Sequence, residues 1–435
     1  MTQLLSEIAR EKNLRYFLIS FTDLFGVQRA KLVPTAAIDG MAADGAGFAG
    51  FAAWLDMTPA DPDVFAIPDV NSLFPLPWQP EIGWMPADLH MNGEPVVQAP
   101  RYVLKQTLSQ AEALGYRVQT GVECEYFLLS AAGDELSDLG DRASKPCYDQ
   151  QALMRRFDII AEICDAMLAM GWGAYQNDHE DANGQFEMNW SYADALVTAD
   201  RHAFFKYMVK AIAEKHGYRA TFMPKPFPHL TGNGCHTHLS VWDLAGTTNL
   251  FHDPAGELGL ADLAYQFIGG VLHSAEALCA LTNPTVNSYK RINAPVTSSG
   301  ATWSPNTISY TGNNRTHMIR IPEAGRFEFR LADGSANPYL LPAALIASGL
   351  DGVAQKRDPG QRCDNNAYTD PLPLETVKRL PSNLLDALRC LQKNTILSGS
   401  LGAEFVQSYI KLKQQQWDDY SAHISTWETD NTLDC

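Results

Sequence analysis

The chain is short of positive charge: 33 Lys and Arg stand against 50 Asp and Glu, a formal net charge of −17. A nucleic-acid surface needs clustered cations to displace counterions from phosphates, so that class of partner is excluded, and any anionic ligand must meet a local group of arginines. No stretch offers the roughly 18 uninterrupted apolar residues of a membrane-spanning helix. The segment from Met1 to Arg15 carries charge along its length and does not read as an export signal. The eight cysteines (124, 147, 164, 235, 279, 363, 390 and 435) include no Cys-x-x-Cys and fall mostly within apolar patterns. That usage fits a reducing, cytoplasmic setting. No Gly-x-x-x-x-Gly-Lys-Ser/Thr occurs, which removes one route to nucleotide binding. Internal repeats and low-complexity tracts are also missing.

What is there has ordinary globular composition, 435 residues of which 46% are hydrophobic and 19% charged. Such a length suggests two or three domains, or one large catalytic domain with a smaller companion. Residues 1–97 mix short β-prone runs such as Tyr16-Phe17-Leu18-Ile19-Ser20-Phe21 with proline-dense turns such as Phe74-Pro75-Leu76-Pro77-Trp78-Gln79-Pro80, the pattern of a small β-rich domain. Ala99-Pro100 then opens a helix whose apolar residues Val103, Leu104, Leu108, Ala111 and Leu114 have helical spacing before Gly115. The expected boundary is therefore near residue 98, with a second domain over 98–435. Within it, helices are expected at about 151–170, 198–216, 260–280, 338–352, 383–394 and 402–427, and strands at 121–129, 185–190, 219–223, 235–242, 316–321 and 326–331. Strands interspersed with helices in this order describe an α+β catalytic domain on a curved, mostly antiparallel sheet backed by helices.

Three strand-like segments carry alternating chemistry. In Gly121-Val122-Glu123-Cys124-Glu125-Tyr126-Phe127-Leu128-Leu129, Glu123 and Glu125 share one face. Two carboxylates that close raise each other's pKa unless a cation sits between them, and a divalent metal is the simplest one. A lone Glu-x-Glu is more often the wet face of an exposed strand. Here, however, His236-Thr237-His238-Leu239-Ser240 and Arg326-Phe327-Glu328-Phe329-Arg330 repeat the pattern. The segment Asn177 to Asn189 is dense in ligand-type atoms and reads as a loop through Asn183-Gly184 followed by a strand, with Gln185, Glu187 and Asn189 on one face and Glu180 approaching from the loop. Mixed Glu and His ligation suits Mg or Mn better than four-coordinate zinc. A third group, Arg315, Arg320, Arg326 and Arg330 with Lys290-Arg291 before them, lies among apolar residues. Arginines beside a metal site point to phosphoryl transfer involving a carboxylate-bearing substrate; ion pairing with the nearby glutamates is the plainer alternative.

Together these segments resemble the glutamine synthetase family, nearly end to end. The matching pieces are Thr22-Asp23-Leu24-Phe25-Gly26 with Arg29 and Lys31, Gly121 to Glu125, Glu180 through Glu187, Phe222-Met223-Pro224-Lys225-Pro226 and Gly232-Asn233-Gly234-Cys235-His236-Thr237-His238. They continue with Asn283-Pro284-Thr285-Val286-Asn287-Ser288-Tyr289-Lys290-Arg291, Arg320-Ile321-Pro322 and Asn337-Pro338-Tyr339-Leu340. The wording is nearest the type III branch, which includes γ-glutamylmethylamide synthetases. The resemblance implies a β-grasp N-terminal domain, hexameric rings usually stacked in pairs as a dodecamer, and active sites between neighbours in a ring. By matching positions, it assigns one Mg or Mn ion to Glu125, Glu180 and Glu187 and a second to Glu123, His236 and Glu328. It places L-glutamate against Gly232, His236, Arg291 and Arg330, the transferred phosphate near Arg315 and Arg320, and ATP against Tyr192, His238, Ser240 and Arg326. Asp23, from the next subunit, is the implied base for the incoming amine.

One departure bears on the acceptor. Where the family continues from Ser-Tyr-Lys-Arg into a Pro-Gly-Tyr-Glu-Ala-Pro flap, this chain has Arg291-Ile292-Asn293-Ala294-Pro295-Val296 and runs on into Ser298-Ser299-Gly300-Ala301-Thr302-Trp303. The flap glutamate that guards the ammonium site is gone, and a short alkylamine such as methylamine becomes an alternative to ammonia. The adenylylation-loop tyrosine motif is not seen. The expected activity is an ATP-dependent ligase forming a γ-glutamyl amide, against two alternatives: an inactive ring-forming scaffold of the same family, or a guanidino kinase.

Overall fold

The computed structural model describes residues 4–370 and 377–435. The N-terminal sheet has seven strands, in the order Gln28–Pro34, Tyr16–Thr22, Gln79–Met91, Val64–Pro68 and Ala46–Phe48, with Phe74–Leu76 and Glu94–Pro95 also on the long strand. Tyr16–Thr22 runs parallel to Gln79–Met91 while its other neighbour is antiparallel, a β-grasp-like arrangement. Alternate residues Phe17, Ile19 and Phe21 bury one face against Val64, Ala66, Met85 and Leu89, giving this sheet a core of its own.

Two further sheets share the chain at residues 116–129. The six-stranded one runs Ala193–Asp194, Tyr116–Cys124, Cys235–Asp243, Phe327–Phe329, Ile319–Arg320, Tyr310–Thr311. The four-stranded one runs Ala174–His179, Gln185–Trp190, Tyr126–Leu129, Arg219–Thr221. Within these two sheets every pairing is antiparallel except the short last one, Tyr310–Thr311 on Ile319–Arg320. The strand expected over 121–129 begins earlier, at Tyr116, and breaks at Glu125, where the chain passes from one sheet to the other. That break curves the surface and wraps it around a cleft.

Apolar side chains on the outer faces pack on helices. Phe186 and Trp190 turn away from the cleft onto Tyr126 (6.2 Å between ring centroids) and Phe205 (4.8 Å), and Phe205 belongs to the long helix Ala195–Lys215. The helix Leu340–Ala354 is buried along nearly its whole length, as its almost unbroken apolar sequence demands. Several expected elements are shorter or divided. The helix over 151–170 is interrupted at Arg156, giving Gln150–Arg155 and Phe157–Ala169. The one over 260–280 divides at Ser274, and the one over 402–427 ends at Ser421 before a separate Thr426–Thr432 helix with its own Ser425 cap. The strands over 316–321 and 326–331 shrink to Ile319–Arg320 and Phe327–Phe329. Of the stretch expected to be loop before Gln185, residues 177–179 instead end a strand, Ala174–His179, paired with Gln185–Trp190, while 180–184 form the expected loop between them, where Gly184 has a φ of 72° that suits the turn.

The N-terminal sheet is pinned to the rest by a buried ion network. The Arg101 guanidinium reaches Asp69 (2.7 Å), Asp88 (2.7 Å) and Asp200 (3.0 Å), and the Tyr339 hydroxyl donates to the same Asp200 (2.9 Å). Among the described residues, no helix is long and apolar enough to cross a membrane.

Candidate active site

The cleft between the two sheets, about 140 Å³, is lined by Glu123, Glu125, Glu180, Glu187, His236, Glu328, Arg315, Arg320 and Arg330. All six expected metal ligands are therefore on one wall system, although they come from five separate segments. Glu125, Glu180 and Glu187 each present an oxygen within 4.8 Å of the others. Glu123 does the same with Glu187 and His236, and again with His238 and Glu328. The expected trio Glu123, His236, Glu328 is thus partly regrouped; His236 Nδ1 lies 3.6 Å from an oxygen of each of those two glutamates.

The backbone sets this geometry. Glu125, at the strand break, accepts from Gly234 N (2.7 Å) and Gln185 Nε2 (2.9 Å), which fixes its carboxylate. Asn189 Nδ2 steadies Glu187 (3.0 Å). A Cβ on Gly234 would sit 2.9 Å from His236 Nε2, 3.0 Å from Glu125 Oε1 and 3.1 Å from Arg291 Nη2, so only glycine leaves the space those three groups surround. A Cβ on Gly232 would meet Pro224 O at 2.2 Å.

Electrostatics divide the carboxylates into two kinds. Burial, then the Glu125 charge, pushes Glu180 up to about 8. Burial, then Glu123, Glu180 and Glu125, pushes Glu187 well above its ordinary value. Burial would raise Glu328 too, but Arg330 and His236 overcome it and hold that group at about 2. Its Oε2 receives Arg320 Nη1 at 2.8 Å and its Oε1 receives Arg330 Nη1. His238 and His236 likewise hold Glu123 well below the carboxylate range against burial. Crowded glutamates without countercharge, together with a buried His236 Nε2 that has no hydrogen-bond partner, fit a hard divalent cation with an imidazole in its shell.

A second compartment, about 520 Å³, opens on the other side of Glu123 and is lined by Tyr192, His238, Ser240 and Arg326, all four residues expected at the nucleotide. His238 Nε2 bonds Glu123 at 3.0 Å and its Nδ1 meets Arg326, so this histidine links the two spaces. Tyr175 lines it too and escaped the sequence reading, since it lies on the strand that the polar pattern disguised as loop. In the first cleft the unforeseen residues are Cys147, Tyr148, Gln176, Asp178, Thr231 and Trp303. Tyr148 and Trp303 both hold left-handed backbone, φ 65° and 52°, uncommon for large side chains. Nothing local in the sequence signals either.

Arg291 is fully buried, its Nη1 on Leu331 O at 2.9 Å, beside Gly234 at the base of the cleft. Asp23, Gly232 and Arg291 line neither compartment; Gly232 and Arg291 lie behind Gly234 and Glu125, whereas Asp23 is held in the N-terminal sheet. Its Oδ1 accepts from Phe25 N and Val27 N (3.0 Å each) and its Oδ2 from Arg29 (2.9 Å), closing the turn after Tyr16–Thr22. The segment that replaces the expected flap is tied down: Ser298 bonds His229 O through both its N (3.0 Å) and its Oγ (2.9 Å), and Ser299 bonds Asp181.

With this geometry in view, the likenesses to known proteins are specific. A profile of the glutamine synthetase catalytic domain matches residues 97–432. A glutamine synthetase of Rhizobium leguminosarum bv. phaseoli is 59% identical over 434 residues, covering 100% of both chains. A glutamate–methylamine ligase of Methyloversatilis universalis is 42% identical over 437 residues, covering 98% of both. A solved structure described as a GmaS/ADP complex superposes with a TM-score of 0.96 at 62% identity, covering 100% of both chains. The chain belongs to the glutamine synthetase family.

Proposed function

We propose that the protein is an ATP-dependent ligase that joins L-glutamate to ammonia or a short alkylamine such as methylamine, forming a γ-glutamyl amide through γ-glutamyl phosphate. The observation that carries this reading is the carboxylate and imidazole cluster facing Arg315, Arg320 and Arg330 across one cleft, continuous through Glu123 with a compartment of nucleotide size. Glu125, Glu180, Glu187, Glu123, His236 and Glu328 hold Mg or Mn, which when bound neutralise phosphate charge. Glutamate lies against Gly232, His236, Arg291 and Arg330, its γ-carboxylate directed at the terminal phosphate of ATP. A carboxylate is a poor electrophile, and conversion to an acyl phosphate gives it a leaving group. Arg315 and Arg320 stabilise charge on the transferring phosphoryl group, since fixed guanidiniums in a dry cleft need little reorganisation. Tyr192, His238, Ser240 and Arg326 seat the nucleotide.

The amine must attack unprotonated, and Asp23 from a neighbouring copy in a ring takes its proton. That role requires assembly, because within one chain Asp23 closes its own turn. The reading includes an N-terminal domain ending near residue 97, a cytoplasmic setting and stacked hexameric rings. Methylamine is favoured as one acceptor because the flap glutamate has no counterpart in 291–303, and because a relative named as a glutamate–methylamine ligase aligns over 98% of both chains.

Phosphate release with ATP, glutamate and Mg or Mn, measured across ammonium, methylamine, ethylamine and polyamines with mass spectrometry of the products, tests the proposal. Turnover that needs both glutamate and an amine supports it. No turnover with any amine overturns it in favour of a scaffold, and phosphorylation of a guanidine in place of glutamate overturns it in favour of a kinase.

A further inference from the structure

The strands that present Glu123, Glu125 and His236 to the cleft must turn the residues between them the other way. Cys124 and Cys235 are those residues, and they sit directly opposite one another in the antiparallel pairing. From the helix behind, His202 points at them, its Nε2 3.9 Å from Cys235 Sγ. The two sulfurs and the imidazole nitrogen lie within 4.8 Å of one another, and all three side chains are closed off from solvent. A small cavity of about 10 Å³ adjoins His202, lined by Thr120, Thr198 and Thr237 and otherwise by apolar residues, but by neither cysteine. Thr120 Oγ1, fully buried, has no hydrogen-bond partner there. Both cysteines are free thiols.

We propose that Cys124, Cys235 and His202 form a binding site for one thiophilic divalent cation of the zinc class, separate from the hard-metal cluster in the cleft. Sulfur and imidazole ligands select such a cation over Mg or Mn, which prefer oxygen. Binding displaces both thiol protons to solvent, so a dication with two thiolates and a neutral imidazole is uncharged overall, the only state that an apolar interior accepts readily. The cation would cross-link Tyr116–Cys124, Cys235–Asp243 and the helix Ala195–Lys215 directly behind the cleft, and so stiffen the strands that carry its ligands.

X-ray absorption at the zinc edge, on the assembled protein purified after growth in zinc-supplemented medium, reads the site without any mutation. Sulfur scatterers at about 2.3 Å are expected, and a shell of oxygen and nitrogen alone overturns the proposal. On cobalt-loaded protein, a thiolate-to-metal charge-transfer band is expected that vanishes in Cys124→Ala and Cys235→Ala and persists in Glu187→Gln and Cys147→Ala. A band that instead follows Cys147, which lines the active cleft, overturns it. A Cys124–Cys235 disulfide in peptides from the unreduced protein overturns it as well, assigning the pair to redox chemistry.

Discussion

Stripping the divalent cation and raising the pH should loosen this protein more than it loosens a variant lacking Glu180's charge. Glu180 is pushed from 4.5 to about 8 by burial and by Glu125. Each pH unit of displacement corresponds to about 1.4 kcal/mol, so ionising this coupled group of carboxylates in the metal-free fold costs on the order of several kcal/mol. The sign follows from proton binding: between pH 4.5 and 8 the unfolded glutamate is ionised while the folded one keeps its proton, so folding binds a proton and stability falls as pH rises. The contribution is complete below about 4.5 and gone above about 8. Glu187, displaced in the same direction, adds to it. A cation between these groups reverses the preference by favouring the ionised carboxylates, so stabilisation by Mn should grow steeply over the same window and release protons. Melting temperatures of chelator-treated wild type and Glu180→Gln, each from pH 5 to 8.5 with and without Mn, isolate the effect, because other titrating groups are shared. Metal-free wild type should lose stability with rising pH relative to Glu180→Gln, and Mn should restore it. Parallel curves for the two proteins would refute the argument that uncompensated carboxylates crowd this cleft.

Other expectations come from single contacts. Asp200→Ala strands the Arg101 guanidinium in the seam between the N-terminal sheet and the remainder; the loss should be about 3–5 kcal/mol, read from denaturant unfolding. Glu328→Gln removes the charge that Arg320 and Arg330 share while keeping its shape, and phosphate release should fall on the order of a hundredfold or more at unchanged gel-filtration volume. Gly234→Ala pushes a methyl between His236, Glu125 and Arg291, which should weaken Mn binding by about ten- to a hundredfold in a titration. Tyr192→Ala should raise KM for ATP by about tenfold, with KM for glutamate unchanged, if its ring seats the base.

The amino-acid order alone marked most of the charged side chains that line the cleft. A strand alternates with period two whatever surrounds it, so His236 and His238 had to share a face. Glu123 with Glu125, and Glu328 with Arg330, line one cleft as the pattern suggests, although Glu125 lies at the strand break and Arg330 just past the strand Phe327–Phe329. It also determined the apolar helices behind them, because the face of a sheet turned from water must be covered. Long-range packing decided the rest. The strand Ala174–His179 reads as loop because its polar residues meet the cleft and not a core, and only its pairing with Gln185–Trp190 shows it. The breaks at Glu125, Arg156 and Ser274 come from where neighbouring elements bend the chain, since nothing local demands them. Tertiary packing likewise gathered Tyr148 and Trp303 at the cleft, and brought His202 from a distant helix onto Cys124 and Cys235. Periodicity is written locally, whereas the partner across a gap is chosen by the whole folded chain.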